Sequence, residues 1–197
     1  IFFTSRGCPF ECTYCFETTI HQLYATSRRV RRFSVERVLD EIKFVKKKYP
    51  LQIVNFKDDL FMTKVDSWWV EFCERFPREV GLPFACLLRP DTISEDLIRG
   101  LKSAGLHSVI TSIDTPNEKL RREIVNKKIS NEKIEQGLGI LKKNKINIFN
   151  NMILGLPFAN VQDDLDGIKL NHRLGVNFSS FTILVPYPKT IISKICQ

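Results

Sequence analysis

Six short β-rich runs alternate with amphipathic stretches of helix length along this chain, and that alternation limits the fold more sharply than any single residue. The first run, 1–3, leads into a loop that holds three cysteines. Ser34 then predicts a helix start, because its hydroxyl can accept from backbone N–H groups that the first turn leaves free. Val35, Val38, Leu39, Ile42 and Val45 behind it fall on one stripe at helical spacing. A strand over 51–56 follows, then a helix over 65–80 carrying Trp68, Trp69 and Phe72, then a strand over 84–88. Ser94 caps a helix that ends at Gly105, 107–113 is the next strand, and Ser130 opens a helix with Ile134, Leu138 and Leu141 on one side. Gly155 and Pro157 end a strand over 148–154, Asn160 caps a helix to about residue 174, and 178–185 is the sixth run. Repeated βα units place their strands in parallel through right-handed crossovers, in an α/β sheet that either stays open or curls into a partial barrel.

In barrels of this kind the working residues collect at the carboxyl ends of the strands. Here the cysteine loop follows the first run, Asp58 and Asp59 the second, and Arg89 with Asp91 the third. Asp114 follows the fourth, Gly155-Leu156-Pro157 the fifth and Pro186-Tyr187-Pro188 the sixth. Cys8, Cys12 and Cys15 are the chemically loudest of these. Three nearby thiolates hold three corners of an iron-sulfur cube and leave the fourth iron open to a small molecule, while the same residues are also half of a zinc site or three ordinary thiols.

At 197 residues and 43% hydrophobic content the chain can bury the core of one domain. It has no apolar run of bilayer length and no signal segment, which gives a cytoplasmic expectation. Cys73, Cys86 and Cys196 are scattered and read as buried or stray thiols, with no spacing for a second cluster. Thirty Lys and Arg against 22 Asp and Glu leave a net charge of +8. The lysine runs at 46–48, 127–128 and 142–145 read as solvated cations at helix ends. Arg28, Arg29, Arg31 and Arg32 admit a rival reading, a zinc-stabilised nucleic-acid-binding module in which His21 completes the metal site. His107 and His172 sit in no partner pattern and read as filler.

The cysteine spacing, with an aromatic Tyr14 inside its second half and Phe16 directly after, resembles that of the radical S-adenosylmethionine (SAM) enzymes. The resemblance runs along the chain through Asn55-Phe-Lys-Asp58-Asp59-Leu-Phe61, Leu88-Arg89-Pro-Asp91, Ile153-Leu-Gly155-Leu-Pro157 and Leu184-Val-Pro186-Tyr-Pro188. It looks closest to the branch often fused to a cobalamin-binding domain. It implies a partial (β/α)6 TIM-like barrel of parallel strands, with residues 1–197 forming a radical SAM core domain excerpted from a longer protein. It further implies a 4Fe-4S cluster on Cys8, Cys12 and Cys15, with SAM chelating the free iron. Reductive cleavage to a 5'-deoxyadenosyl radical would then abstract a substrate hydrogen, in a cobalamin-dependent methyl transfer or cyclisation where a neighbouring domain carries cobalamin. An electron donor such as flavodoxin or ferredoxin is implied with it.

The same resemblance lays Tyr14 against the adenine and makes Phe16 part of the cofactor-binding motif. It brings the SAM amino group to the backbone near Asp58, and borders the adenine with Ile153 and Leu154. Asp114 stands where the family often has a Glu that binds the ribose or the methionine moiety, and a carboxylate can accept two hydroxyl protons at once. Arg89 either pairs with the SAM carboxylate or forms an ion pair with Asp91 or Asp114. Phe158 and Ala159 depart from the Gly-Glu that usually follows the Gly-Leu-Pro turn, and Lys189 stands where a Gly is frequent. A radical SAM enzyme acting on RNA would join the two readings through the arginines near residue 30.

Overall fold

The computed structural model describes residues 1–24 and 29–197. Ser5–Arg6 (β1) leads into the cysteine loop, Phe16–Tyr24 forms α1, and Arg31–Arg32 (β2) returns to pair antiparallel with β1. Val35–Lys48 (α2) then precedes Val54–Asn55 (β3), and Ser67–Glu79 (α3) precedes Phe84–Leu87 (β4). A 3-10 turn at Pro90–Thr92 and Glu95–Ser103 (α4) lead to Leu106–Asp114 (β5). Glu118–Glu123 (α5) and Asn131–Lys143 (α6) lie before Asn147–Leu154 (β6). Val161–Leu174 (α7), Phe178–Ile183 (β7) and Ile191–Ile195 (α8) complete the order.

Strands β3 to β7 form a five-stranded sheet in sequence order, and every neighbouring pair is parallel. Phe2 extends it as a single parallel bridge to Phe56, with its N–H donating to the Asn55 carbonyl at 2.9 Å and its carbonyl accepting from Lys57 at 2.9 Å. The first βα unit therefore takes the sixth place in the sheet, but by one residue rather than by a strand. The fold is the expected one: parallel strands in a curled half-barrel, a partial (β/α)6 TIM-like barrel. The expected strand 51–56 contracts to Val54–Asn55 and the Phe56 bridge, because the Leu51 N–H turns back to the Tyr49 carbonyl and Gln52 and Ile53 are exposed.

The helices begin where short polar side chains can cap them. Ser34, Asp66, Ser94, Asn117, Ser130, Asn160 and Thr190 each accept a backbone N–H of the first turn, a contact worth about 1 kcal/mol. At Asn160 the Asp163 carboxylate answers by accepting the cap's own N–H, a reciprocal capping box. The stripe of α2 and the inner faces of α3, α4 and α6 bury against the sheet. Phe56, Phe61, Phe72, Phe76 and Phe84 pack there with ring centroids 4.9 to 6.1 Å apart, and Trp68 stacks on Phe72 at 5.1 Å. Edge-to-face and tilted pairs of this kind add about 0.5–1.5 kcal/mol each beyond their burial.

The ribbon β1–β2 and the helices α1, α5 and α8 were not in the sequence pattern, because each is too short for periodicity to register. No helix among the described residues is long and apolar enough to cross a membrane.

Candidate active site

At the carboxyl ends of the strands lies a cavity of about 430 Å³. Cys8, Cys12 and Cys15 line it on one side, and Tyr14, Asp59, Arg89, Asp114, Lys127 and Ile153 reach it from the loop and from strands around the sheet. The loop that carries the thiols is fastened at both ends. On its entry side the buried Asp58 gathers four hydrogen bonds on Oδ1, from the Thr4 N–H at 2.8 Å, the Thr4 hydroxyl at 3.1 Å, the Ser5 N–H at 2.5 Å and the Ser5 hydroxyl at 2.9 Å. Its neighbour Asp59 accepts from the Gly7 N–H at 3.1 Å. On its far side the Thr13 N–H donates to the Val125 carbonyl at 3.0 Å, the Thr13 hydroxyl to the Ile124 carbonyl at 2.5 Å, and the Asn126 amide to the Glu11 carbonyl at 2.8 Å. Between them the Cys15 N–H turns back to the Cys12 carbonyl at 3.0 Å, which also accepts from the Thr18 hydroxyl at 3.1 Å.

Gly7 allows this loop to close. Its φ of +89° lies in the region that costs a residue with a Cβ about 1–2 kcal/mol, and a Cβ there would sit 2.1 Å from the Arg29 carbonyl oxygen. Gly7→Ala is expected to lower the melting temperature and the iron bound per chain. Gly139→Ala, in open space on α6, is expected to leave both at wild-type levels or raise stability slightly, by thermal melting and iron analysis.

Burial raises all three cluster-loop thiols, Cys15 up to about 11. Without metal they are therefore protonated near neutral pH, and the charge that would ionise them has to come from bound iron. At Cys12 the ammonium of Lys127 works against the rise, more strongly than Asp114 adds to it. Three half-buried thiols from one loop, opening on one cavity with carboxylates and a cation across from them, are a donor set that fits a cluster with one iron left free for a chelating ligand.

Asp114 enters the cavity through a defect in the sheet. The register between β5 and β6 shifts between Ser112 and Asp114, and Asp114 takes φ +69°. The Ile113 N–H, displaced from the ladder, donates instead to the buried Asn150 side chain at 3.0 Å, and the Asn150 amide donates in turn to Asn171 at 2.7 Å. Bulges of this kind re-aim side chains near functional sites. Oδ1 of Asp114 accepts from the Tyr14 hydroxyl at 3.3 Å and from the Ser112 hydroxyl. Its Oδ2 lies 2.5 Å from the Lys127 ammonium, an ion pair in which both side chains are buried. Burial, with the Asp114 charge added, pushes the Tyr14 phenol well up, so it stays a neutral donor.

A family profile described as Radical SAM superfamily matches residues 2–170. The chain belongs to the radical SAM superfamily. It is 27% identical over 188 residues to an uncharacterized methyltransferase of Pyrococcus horikoshii, covering 95% of this chain and 39% of that one. It is 28% identical over 160 residues to the cytidylyl-2-hydroxyethylphosphonate methyltransferase of Streptomyces wedmorensis, covering 79% of this chain and 28% of that one. The radical SAM methyltransferase TsrM of Kitasatospora setae, solved with cobalamin and a 4Fe-4S cluster bound, superposes with a TM-score of 0.81 at 18% identity over 97% of this chain and 35% of that one. That likeness is one of fold. The chain thus spans about two fifths or less of the length of these relatives.

Within this radical SAM core the structure gathers some of the expected residues and sets others apart. Cys8, Cys12, Cys15, Tyr14, Arg89, Asp114 and Ile153 share the cavity at the strand ends, whereas Asp58, Phe16 and Leu154 are not among its lining. The buried Asp58 side chain accepts from Thr4 and Ser5 on its Oδ1 and so fastens the loop entry, while the expectation for the SAM amino group concerned the backbone beside it. Phe16 opens α1 and lines a second cavity together with His21. Arg89 is held by Asp91 through two hydrogen bonds of 3.0 Å and lies over the Phe10 ring at 3.5 Å from its centroid. Of the two protein carboxylates that the sequence offered it, Asp91 and Asp114, the ion pair formed is the one with Asp91.

Lys127 corrects the sequence reading. It was expected in water with Lys128, yet it is 3% exposed and paired with Asp114. Asn126 before it takes φ +57°, and the buried ammonium is matched by the Asp114 carboxylate and the Ser112 carbonyl. Its signal was present in the sequence only as an Asn before the lysine pair, too little to separate it from a helix-end cation.

The zinc and nucleic-acid rival gains nothing from this arrangement. His21 faces Glu17 at 3.6 Å rather than the three thiols. Arg28 lies outside the described residues, Arg29 pairs with Glu11 at 2.6 Å, and Arg32 donates to the Phe61 carbonyl and covers the Trp68 ring.

Proposed function

We propose that this chain is the cluster- and SAM-binding core of a radical SAM enzyme that methylates a small-molecule carbon. The observation that carries the reading is the convergence of three thiols from one loop with Tyr14, Asp114 and Ile153 on a single cavity at the strand ends of a parallel half-barrel. Cys8, Cys12 and Cys15 would hold the 4Fe-4S cluster. When bound, the cluster supplies the electron that cleaves SAM. The chain's own residues bind and orient. Asp114 lines the cavity and its carboxylate suits a ribose hydroxyl, with the Tyr14 and Ser112 hydroxyls donating to its Oδ1. Ile153 and Leu184 give the adenine an apolar wall, and Leu88 with Leu60 keeps water from the cavity floor. Methyl transfer as the outcome, and a cobalamin carried outside this core, are supported by the two methyltransferase relatives and by the cobalamin bound to TsrM. The electron comes from an external one-electron donor, for which flavodoxin or ferredoxin has the right chemistry.

The test is anaerobic reconstitution with iron and sulfide, followed by low-temperature EPR of the reduced protein with and without SAM. The expected result is a four-iron signal that changes shape on adding SAM. A chain that takes up no sulfide and binds one zinc on the same cysteines removes the reading.

A further inference from the structure

We infer that the second cavity is a binding site for a small phosphorylated metabolite, whose phosphate is held by Arg6 and Arg31 and met by the His21 ring. The inference goes beyond the radical SAM reading and does not rest on it.

This cavity, of about 450 Å³, shares Asp59 with the one at the strand ends and is otherwise lined by different residues. A space of that size suits a small organic ligand rather than a bare ion. The β1–β2 ribbon frames it, and in the antiparallel register of that ribbon Arg6 stands directly opposite Arg31. Opposed side chains of such a pair share one face with Cβ atoms about 4.5–5.5 Å apart, and like charges there repel. Nothing in the protein relieves this repulsion. Among the described residues neither guanidinium forms an ion pair, whereas Arg29 beside them is committed to Glu11 at 2.6 Å, and residues 25–28 contain no Asp or Glu. The Arg6 guanidinium lies over the Phe3 ring, 4.4 Å from its centroid, which orients it without neutralising its charge.

His21 supplies an independent observation. Its side chain is 11% exposed, and both ring nitrogens are buried without a hydrogen-bond partner. Glu17 lies 3.6 Å away, short of a hydrogen bond, and the other carboxylate in the lining, Asp59, accepts from the Gly7 N–H. A buried polar group in that state is costly unless something in the cavity pairs with it. The donors left over are two guanidiniums and an imidazole. A phosphate monoester matches them, because its oxygens accept from several directions at once and its charge offsets that of the opposed arginines. Phe16 and Tyr24, exposed aromatic side chains of α1, give the body of the ligand an apolar wall.

The experiment titrates the full chain with phenyl phosphate, inorganic phosphate and benzoate, following binding by calorimetry and the histidine ring signals by NMR. The chain has three histidines, and His107 and His172 lie outside this cavity, so they serve as internal references. Phenyl phosphate is expected to bind saturably and to move the His21 signal alone, with inorganic phosphate weaker for want of the ring and benzoate weaker for want of the second charge. Arg31→Thr keeps a strand-favouring residue and is expected to weaken phenyl phosphate at least about tenfold. Its melting temperature is expected at or above the wild-type value, because the opposed charge is gone. Arg99→Ala removes the same charge from an exposed pair with Asp96 and is expected to bind as wild type does. An unmoved His21 signal, binding that Arg31→Thr leaves intact, equal weakening in Arg99→Ala, or benzoate binding as tightly as phenyl phosphate overturns the inference. None of these results bears on cluster formation, which tests the radical SAM reading separately.

Discussion

A Cys12→Ala chain is expected to bind less than about a tenth of the cluster that the wild-type chain binds after anaerobic reconstitution, and to lose SAM-dependent activity below detection. Cys12 is the middle ligand of the set and the most firmly placed. Its carbonyl accepts the turn-closing bond from the Cys15 N–H and a second from the Thr18 hydroxyl, and the next residue, Thr13, is tied to Val125 and Ile124. Besides Cys8 and Cys15, which already hold their own corners, no described side chain in the cavity offers a thiolate, so the lost corner cannot be replaced from within it. Cys196→Ala is the control, because that thiol is exposed on the tail and outside the cavity. Iron and sulfide analysis of the two variants side by side checks the prediction. Equal cluster content in both would move the metal site away from this loop.

The effect on folding should be much smaller than the effect on loading. Cys12 is partly buried in a loop whose backbone bonds survive truncation of the side chain, and the five-ring aromatic core around Phe56 lies elsewhere. A melting temperature near the wild-type value in the metal-free chain, together with lost cluster, separates the chemical role of the thiol from a structural one.

The order of βα units was legible because parallel strands and their crossover helices have distinct periods, and because Ser34, Ser94, Ser130 and Asn160 mark their helices by capping chemistry that depends on a single side chain. The cysteine triad was legible for a similar reason: the ligands lie within one short loop, so spacing alone carries the information. Asp114 was legible as a residue but not as a geometry. The bulge that aims it depends on Asn150 accepting from Ile113 across 37 positions of sequence, and no local pattern encodes that.

Lys127, Asp58 and Arg89 show the same limit from another side. Each is a charged residue in a turn, where the sequence says only that water is a suitable neighbour. What decides its role is a partner fixed by tertiary structure: Asp114 for Lys127, Thr4 and Ser5 for Asp58, and Phe10 with Asp91 for Arg89. Phe16 was assigned to the cofactor by its place in a motif, whereas it lines the second cavity from the first turn of α1, a helix too short to announce itself.

Asp58→Ala is expected to cost roughly 3–5 kcal/mol, among the largest losses open to a single substitution here. Four donors converge on one oxygen of a side chain that is 3% exposed. Truncation strands two backbone N–H groups and two hydroxyls in a place where water enters only by loosening the chain. Each such group costs about 1–3 kcal/mol when left unpaired, and partial rehydration brings the sum down to the range given. For a chain of this length that corresponds to a fall of about 10 °C in melting temperature.

Asp59→Ala, which removes a single exposed bond to Gly7, is expected to cost about 1 kcal/mol or less. The pH dependence separates the charge of Asp58 from its hydrogen bonds. Burial raises the Asp58 carboxyl above its ordinary value, with the Ser5 and Thr4 donors pulling it back. A raised folded-state value means that the contribution tied to this proton is full below the unfolded pKa and is lost as pH rises through the folded one. Asp58→Asn keeps an acceptor for the same donors and has no such titration. Its stability relative to wild type is therefore expected to improve between about pH 4 and pH 7, while Asp58→Ala remains far below both across the range. Chemical denaturation of the three proteins at the two pH values tests this. An Asp58→Ala chain as stable as Asp59→Ala would show that the cysteine loop is fastened at its entry by something other than this carboxylate.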